Sequence, residues 1–355
     1  PKAMIVGVAA CLLAGVMLAD RVAAADDGAP GVEWTRQFGT TVYDSGNAVA
    51  VDAAGAVFVA GGTEGALPGH TNSGERDVWL RKYDRDGAEL WTRQFGTDDD
   101  DSGSGVAVDV SGAVYVIGGT QGVLPGQTNS GYQDVFVRKY DTDGNELWTR
   151  QFGTSQEAYG TGVAVDATGA VYVTGFVLGA LPGQTVAGSM DVFVRKYDTD
   201  GTELWTRQFG TSDYDDGAGV AVDTSGVYVT GATWGAFPGD TDCFYGDAFV
   251  RKYDTEGNEV WTRQFGTNKD DYATGAAANG SGVYLTGSTN GAFPGYTNAT
   301  RDVFVRKYDT DGAELWTDQF GTSRPDYGRG VAADASGVYV TGTSGESVTI
   351  DAFVR

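Results

Sequence analysis

The stretch DVFVRKYDTDGNELWTRQFGT, from Asp134 to Thr154, recurs along the chain and decides its fold. Its tryptophan marks the period, because successive copies are separated by 57, 57, 57, 56 and 55 residues. The six copies are Trp34, Trp91, Trp148, Trp205, Trp261 and Trp316. Self-similarity at a nearly constant period of this length is the signature of a repeat architecture.

Each repeat predicts four short β-strands, labelled A to D, which in the second unit span 105–109, 113–118, 134–141 and 146–153. Ser-Gly and Asp-Gly links join A to B and C to D, which is typical of antiparallel meanders. In strand C, Val135 and Val137 point to one face while Phe136 and Tyr140 point to the other. A small sheet that is apolar on both faces favours a β-propeller, in which neighbouring blades cover both sides.

The ends of the repeat predict how the propeller closes. The chain opens on a copy of strand D at 31–39 and ends on a copy of strand C at 351–355. These two pieces complete one blade, so the sequence predicts six blades closed by the amino-terminal strand. Seven blades are expected if the natural chain is longer, since the first residue is not Met.

Composition narrows the class of function. The 355 residues carry a net charge of −24, which disfavours nucleic acid and anionic membranes as partners. The same charge suits divalent cations, basic partners or a saline habitat. His70 is the only histidine, so a multi-histidine metal site cannot form and a catalytic triad would have to use this one residue. We therefore expect that the protein is not an enzyme.

The first 25 residues predict a secretory signal peptide. Lys2 precedes an apolar run at 4–18, and small residues follow before Asp26. The predicted domains are therefore a signal peptide at 1–25 and a β-propeller at 26–355, with no membrane insertion after cleavage. A lipoprotein box at Cys11 is the weaker alternative. The expected location is secreted, periplasmic or on the cell surface.

Two stretches carry a resemblance to a known family. GVAVDATGAVYVTG at 162–175 and DVFVRKYDTDGTELWTRQFG at 191–210 resemble the SBBP family of β-propeller repeats, and the resemblance extends over 32–355. It implies a propeller fold in an exported or surface-attached protein. It implies no common reaction and no shared catalytic residues.

Acidic loops between strands D and A supply a candidate metal site. At one position of the loop, five of the six copies carry aspartate: Asp44, Asp101, Asp215, Asp271 and Asp326. Because strand A lines the channel of a propeller, these side chains could form a carboxylate ring that holds calcium. The alternative is that each aspartate caps its own turn. Calcium is the one ion this reading suggests, and no cofactor is expected.

The loops between strands B and C offer two further candidates. Their GALPG, GVLPG and GAFPG motifs place Leu or Phe before Pro, either as an apolar rim or tucked over the blade. The fourth unit alone carries Trp234, Phe244 and Tyr245, which suit stacking on a sugar.

These patterns together predict a monomeric, rigid binding or structural scaffold for a protein or cell-surface partner. A calcium-dependent or carbohydrate-binding lectin-like module is the alternative, and a carboxylate-dependent hydrolase comes third. We expect the tryptophans of strand D to form the core with their strand partners.

Overall fold

A computed structural model describes residues 33–240, 245–297, 300–334, 336–346 and 349–354. The predicted signal peptide, Cys11, Cys243 and Phe244 lie outside the described residues. The structure divides into two compact units, residues 1–152 and 153–355. The described residues form 23 β-strands and no helix, so none of them provides a helix that could span a membrane.

The first unit contains two antiparallel four-stranded sheets, each ordered as in the sequence. One sheet consists of β1 (Asp44–Val51), β2 (Val57–Thr63), β3 (Asp77–Tyr83) and β4 (Glu89–Phe95). The other consists of β5 (Asp101–Val108), β6 (Val114–Thr120), β7 (Asp134–Tyr140) and β8 (Glu146–Phe152). The predicted meander of strands A to D is confirmed.

The second unit repeats the pattern three times and adds a shorter sheet. Its strands are β9 (Ala158–Val165), β10 (Val171–Val177), β11 (Asp191–Tyr197), β12 (Glu203–Phe209), β13 (Asp215–Asp223), β14 (Gly226–Thr233), β15 (Asp247–Tyr253), β16 (Glu259–Phe265), β17 (Asp271–Asn279), β18 (Gly282–Thr289), β19 (Asp302–Tyr308), β20 (Glu314–Phe320), β21 (Asp326–Ala333), β22 (Val338–Glu346) and β23 (Thr349–Val354). The last three strands form a three-stranded sheet.

Neighbouring sheets within each unit pack face to face, as the alternation in strand C predicts. In the first unit, Val78 and Leu80 of β3 share a buried cluster with Phe136 and Tyr140 of β7. Within the second unit, residues of strands B and C form the same kind of buried cluster between neighbouring sheets. Three such clusters join β9–β12 to β13–β16, β13–β16 to β17–β20, and β17–β20 to β21–β23. The core therefore lies between sheets rather than within one.

The tryptophans of strand D join the core unevenly, so that prediction is confirmed for some copies and wrong for Trp316. Trp148 and Trp261 are buried, Trp91 and Trp205 are half-buried, and Trp316 is 39% exposed. Strand D is the outer strand of its sheet, so its tryptophan depends on the next sheet for cover, as Trp261 does in packing with Phe304 and Tyr308. The indole nitrogen of Trp261 donates to the carbonyl oxygen of Thr310, in the turn between β19 and β20, at 3.1 Å.

The predicted strand D at 31–39 is not a strand over its described part, because residues 33–40 enter no β-ladder. The segment nevertheless makes the contacts of a strand D on the first sheet. The indole of Trp34 donates to the carbonyl oxygen of Arg85 at 3.1 Å, and Arg36 donates to that of Gly87 at 2.8 Å. Trp91 and Arg93 make the same pair of bonds to the next turn along.

The acidic C-to-D turns are capped hairpins, as the Asp-Gly links predict. One carboxylate oxygen of Asp141 accepts the backbone N–H groups of Asp143 and Asn145, at 2.9 and 2.8 Å. Gly144 completes the turn with a φ of 78°, a left-handed conformation that glycine adopts without strain.

Candidate functional site

The five candidate metal aspartates each begin a strand A, and each closes the loop before it. One carboxylate oxygen accepts the backbone N–H of the threonine four residues earlier, at 2.5 to 2.6 Å. The pairs are Asp44 with Thr40, Asp101 with Thr97, Asp215 with Thr211, Asp271 with Thr267 and Asp326 with Thr322. This geometry is that of a turn cap.

A second aspartate, at the start of strand C, holds the B-to-C loop through a glutamine. Gln208 of β12 donates to a carboxylate oxygen of Asp191 at 2.8 Å and to the carbonyl oxygen of Gly179 at 2.9 Å. Its own side-chain oxygen accepts the backbone N–H of Leu181 at 2.9 Å. Gln94, Gln151, Gln264 and Gln319 repeat these bonds in their sheets.

The two aspartate positions approach each other at the glycine that follows strand D. A side-chain carbon added at Gly266 would lie 2.1 Å from a carboxylate oxygen of Asp247 and 2.9 Å from one of Asp271. Burial raises the pKa of Asp271 to about 6. Hydrogen bonds from Thr289 and Thr267 lower this pKa, and the negative charge of Asp247 adds to the increase. Burial likewise raises the pKa values of Asp101 and Asp215.

Within the described part of the chain, no group of three or more His, Cys, Asp or Glu side chains gathers as a metal site would require. The calcium ring stays a prediction. Its carboxylates already accept hydrogen bonds from backbone N–H groups and threonine hydroxyls. The repeat provides these donors, because Thr precedes Asp by four residues in all five copies.

The Leu and Phe residues of the B-to-C loops tuck over their own sheets, so an apolar rim is not formed. Leu67, Leu124, Leu181, Phe237 and Phe293 are buried. Each begins a tight turn through Pro and Gly; for example, the N–H of Gln127 donates to the carbonyl oxygen of Leu124, and Gly126 has a φ of 75°.

Of the three aromatic residues singled out in the fourth repeat, Trp234 and Tyr245 are described, and Tyr245 is not unique to it, because Tyr132 stands at the same position of the second repeat. They diverge: Trp234 packs on Tyr272 of the next sheet, with ring centroids 5.8 Å apart, whereas Tyr245 borders a groove. Tyr245 is 42% exposed, and the Lys269 ammonium lies 5.2 Å from its ring centroid.

Trp234 belongs to a row that sequence reasoning missed. The Arg301 guanidinium lies 5.8 Å from the ring centroid of Tyr272 and 4.8 Å from that of Tyr327, and Arg329 lies 5.5 Å from the latter. We call Trp234, Tyr272, Arg301, Tyr327 and Arg329 the aromatic–arginine row. It joins three sheets of the second unit, and its residues are half-buried except for the exposed Arg329.

Rigid supports hold this row. Tyr272 and Tyr327 are the second residues of β17 and β21, directly after buried capping aspartates. Arg301 precedes β19, and its guanidinium donates to the side-chain oxygen of Asn290 at 2.7 Å. The N–H of Asp326 donates to the carbonyl oxygen of Arg301 at 2.8 Å, which ties the two sheets together here.

An open groove of about 830 Å³ lies between β13–β16 and β17–β20. Its lining includes Asp240, Tyr245, Tyr296, Arg306 and Glu314. Arg306 lies against Phe265 and Phe293, 4.1 and 4.7 Å from the ring centroids, and pairs with Glu314 at 3.3 Å. The groove therefore mixes aromatic surface with donors and acceptors.

The described sheets define an all-β repeat protein built from antiparallel four-stranded meanders. Three stretches, residues 90–125, 147–175 and 204–238, match the family model of SBBP, the beta-propeller repeat. The resemblance noted from the sequence is thus confirmed at these three repeats.

A regulatory protein, FlaEY of Caulobacter vibrioides, is 32% identical over 196 residues. The match covers 49% of this chain but only 20% of that protein, so the chain spans about a fifth of this relative's length.

Solved structures give weaker likenesses. A protein of unknown function from Bacteroides caccae is 12% identical and superposes with a TM-score of 0.39. The match covers 78% of this chain and 82% of that chain. The parainfluenza virus 5 hemagglutinin-neuraminidase ectodomain is 11% identical, with a TM-score of 0.43, the coverage being 85% and 79%.

Proposed function

We propose that this chain is an exported β-propeller that acts as a rigid scaffold for a protein partner, and that the aromatic–arginine row is its main contact surface. The observation that carries the proposal is the composition and continuity of the row. Trp, Tyr and Arg dominate the binding energy of protein interfaces, and here they lie side by side on strand ends.

Rigidity supports a binding role. Tyr and Trp have few rotatable bonds, and the residues of the row are anchored by β-strands and by inter-sheet hydrogen bonds. Ordering them on binding therefore costs little conformational entropy. The net charge of −24 favours a basic partner during long-range approach, while the row acts at short range.

Closure into six blades is a further part of the proposal. The segment 33–40 would supply strand D to the sheet β21–β23, as the split repeat predicts. Support comes from the first unit, where Trp34 and Arg36 bond to the turn between β3 and β4 as strand D residues do elsewhere. Export rests on the apolar run at 4–18.

The test is a comparative pull-down with isotope-labelled extracts of the cells that produce the protein. The bait is wild type, a variant carrying Trp234→Ala and Arg301→Ala, or a control carrying Leu90→Ala and Leu147→Ala at exposed positions of β4 and β8. We expect a protein that wild type and control retain and the row variant loses, and that binds wild type directly after purification. Identical retention by all three baits would contradict the proposal.

A further inference from the structure

The turn between β17 and β18 contains an asparagine followed by a glycine. Asn279 pairs with Gly282 at the end of the ladder, so Gly280 and Ser281 form a two-residue loop. Glycine after asparagine favours attack of the glycine nitrogen on the side-chain amide, because there is no Cβ to hinder the approach. This turn differs from the other five copies of the repeat, which carry a carboxylate at the asparagine position: Asp52, Asp109, Asp166, Asp223 and Asp334.

The nitrogen of Gly280 is accessible for such an attack. Gly280 is exposed, and no atom beyond its neighbours lies within 4 Å of the position that a Cβ would occupy. The described residues offer no hydrogen-bond acceptor to its N–H. Because Asn279 and Gly282 are the last pair of the ladder, the local opening that the attack requires breaks few hydrogen bonds.

Hydrogen bonds polarise the amide of Asn279. Its side-chain oxygen accepts from the backbone N–H of Ser281 at 3.1 Å and from the hydroxyl of Ser281 at 2.7 Å. The same hydroxyl accepts from the Lys307 ammonium at 3.0 Å, which makes it a stronger donor. Donors aimed at this oxygen stabilise the negative charge that develops on it when a nitrogen adds to the carbonyl carbon.

A second Asn-Gly pair, Asn290 and Gly291, is held in place. Gly291 is buried, and its N–H donates to the hydroxyl of Thr289 at 3.0 Å. The side-chain oxygen of Asn290 accepts from Arg301 at 2.7 Å, and its backbone N–H donates to the carbonyl oxygen of Asp270 at 2.9 Å. The two pairs therefore share a sequence but differ in the freedom of the attacking nitrogen.

We propose that Asn279 converts spontaneously to aspartate in the folded protein, whereas Asn290 does not. The nitrogen of Gly280 loses its proton and bonds to the side-chain carbonyl carbon of Asn279, and the amide nitrogen leaves as ammonia. Water then opens the resulting cyclic imide at one of its two carbonyl groups, which gives aspartate or isoaspartate. The net reaction consumes water and releases ammonia, and it does not depend on the proposed protein partner.

The aspartate product has a counterpart in the preceding sheet. Asp223 lies in an equally short turn, where one carboxylate oxygen accepts the N–H and the hydroxyl of Ser225, both at 2.7 Å. An aspartate at position 279 can accept the same two bonds from Ser281, and its charge lies near Lys307, which contacts the same hydroxyl. The modification therefore gives this turn the carboxylate cap that the other copies have.

The test incubates the full folded chain in a mildly alkaline buffer free of ammonium. After a brief digestion with trypsin, tandem mass spectrometry locates the acid within residues 270–301, a peptide that contains both asparagines. We expect Asn279 to convert about tenfold or more faster than Asn290, since the bonds that hold the second pair must break first. Absence of acid at Asn279, or equal rates at the two sites, would overturn the proposal.

A variant and the unfolded chain show whether the fold is responsible. Gly280→Ala adds a methyl group where there is room for it, so it keeps the turn but hinders the attack. Asn279 in this variant should convert as slowly as Asn290 does. In urea, the two sites of wild type should react at similar rates. A rate unaffected by Gly280→Ala, or a difference between the sites that persists in urea, would contradict the mechanism.

The substitution Asn279→Asp reproduces the product and tests the cap. It should unfold at a temperature equal to or above that of wild type, because the donors of Ser281 keep their acceptor. Asn279→Ala removes that acceptor and should unfold at a lower temperature. An unfolding temperature of Asn279→Asp below that of wild type would overturn the assigned cap.

Discussion

The guanidinium of Arg301 lies 4.8 Å from the ring centroid of Tyr327, although the two residues belong to different sheets. A cation over an aromatic face is attracted by the ring quadrupole, by about 0.5–1 kcal/mol at exposed sites and about 2 kcal/mol when desolvated. This contact is thus expected to stabilise the junction of the sheets β17–β20 and β21–β23 as well as the row itself.

A double-mutant cycle measures that coupling. We expect Arg301→Ala and Tyr327→Ala together to destabilise the protein by less than the sum of the single changes, with a coupling of about 1 kcal/mol because the pair is half-buried. Urea unfolding of the four proteins provides the free energies. Strict additivity would mean that the contact contributes nothing to stability.

Trp261 and Trp316 occupy the same repeat position in very different surroundings. Trp261 is 8% exposed and donates its N–H to Thr310, whereas Trp316 is 39% exposed. Trp261→Ala should cost about 3–5 kcal/mol, the range for a buried aromatic residue, and Trp316→Ala clearly less. Thermal unfolding of the two variants checks this, and equal losses would contradict the difference in burial between the two tryptophans.

Gln208 holds one loop through three hydrogen bonds, to Leu181, Gly179 and Asp191. Gln208→Ala leaves the buried carboxylate and the N–H of Leu181 without this partner, so we expect a loss of about 2–4 kcal/mol. Leu204→Ala, at an exposed position of the same strand, should change stability by no more than about 0.5 kcal/mol. Urea unfolding compares them, and similar losses would refute the clamp.

Buried carboxylates predict that stability falls as pH rises. Burial raises the pKa of Asp271 from an ordinary value of 3.8 to about 6, so the folded state binds this proton more tightly than the unfolded state does. The resulting stability is complete below about pH 4 and is lost as the pH rises through about 6, by up to about 3 kcal/mol.

Asp271→Asn tests this dependence, because asparagine cannot ionise. Urea unfolding between pH 4 and 7 should show a shallower decline for this variant, whereas Asp143→Asn, in an exposed turn, should keep the wild-type slope. A slope unchanged in Asp271→Asn would show that this carboxyl group is not the source.

Much of the fold could be predicted because its determinants repeat. The alternation of Val135, Phe136 and Val137 predicts a sheet buried on both faces, and the Asp-Gly turns predict the order of the strands. The burial of the tryptophans could not be predicted in this way. Residue type indicates that Trp261 and Trp316 prefer to be buried, but the next sheet decides the outcome: Trp261 joins its core cluster, whereas Trp316 is 39% exposed.

The aromatic–arginine row could not be predicted from the sequence for a different reason. Trp234 occurs in one repeat only, and Arg301 and Tyr327 stand at positions whose residue type varies between repeats, so the repeated pattern does not mark them. They meet because the ends of successive strands lie side by side, which no spacing within one repeat encodes.

The interaction between the row and its partner is measured most directly by calorimetric titration of the partner recovered in the pull-down. Wild type, Arg301→Ala and the control Leu315→Ala, at an exposed position of β20, are compared at one salt concentration. The scaffold account predicts that Arg301→Ala weakens binding by about 2 kcal/mol, or roughly thirtyfold, while Leu315→Ala binds like wild type. Equal affinities of all three proteins would contradict it.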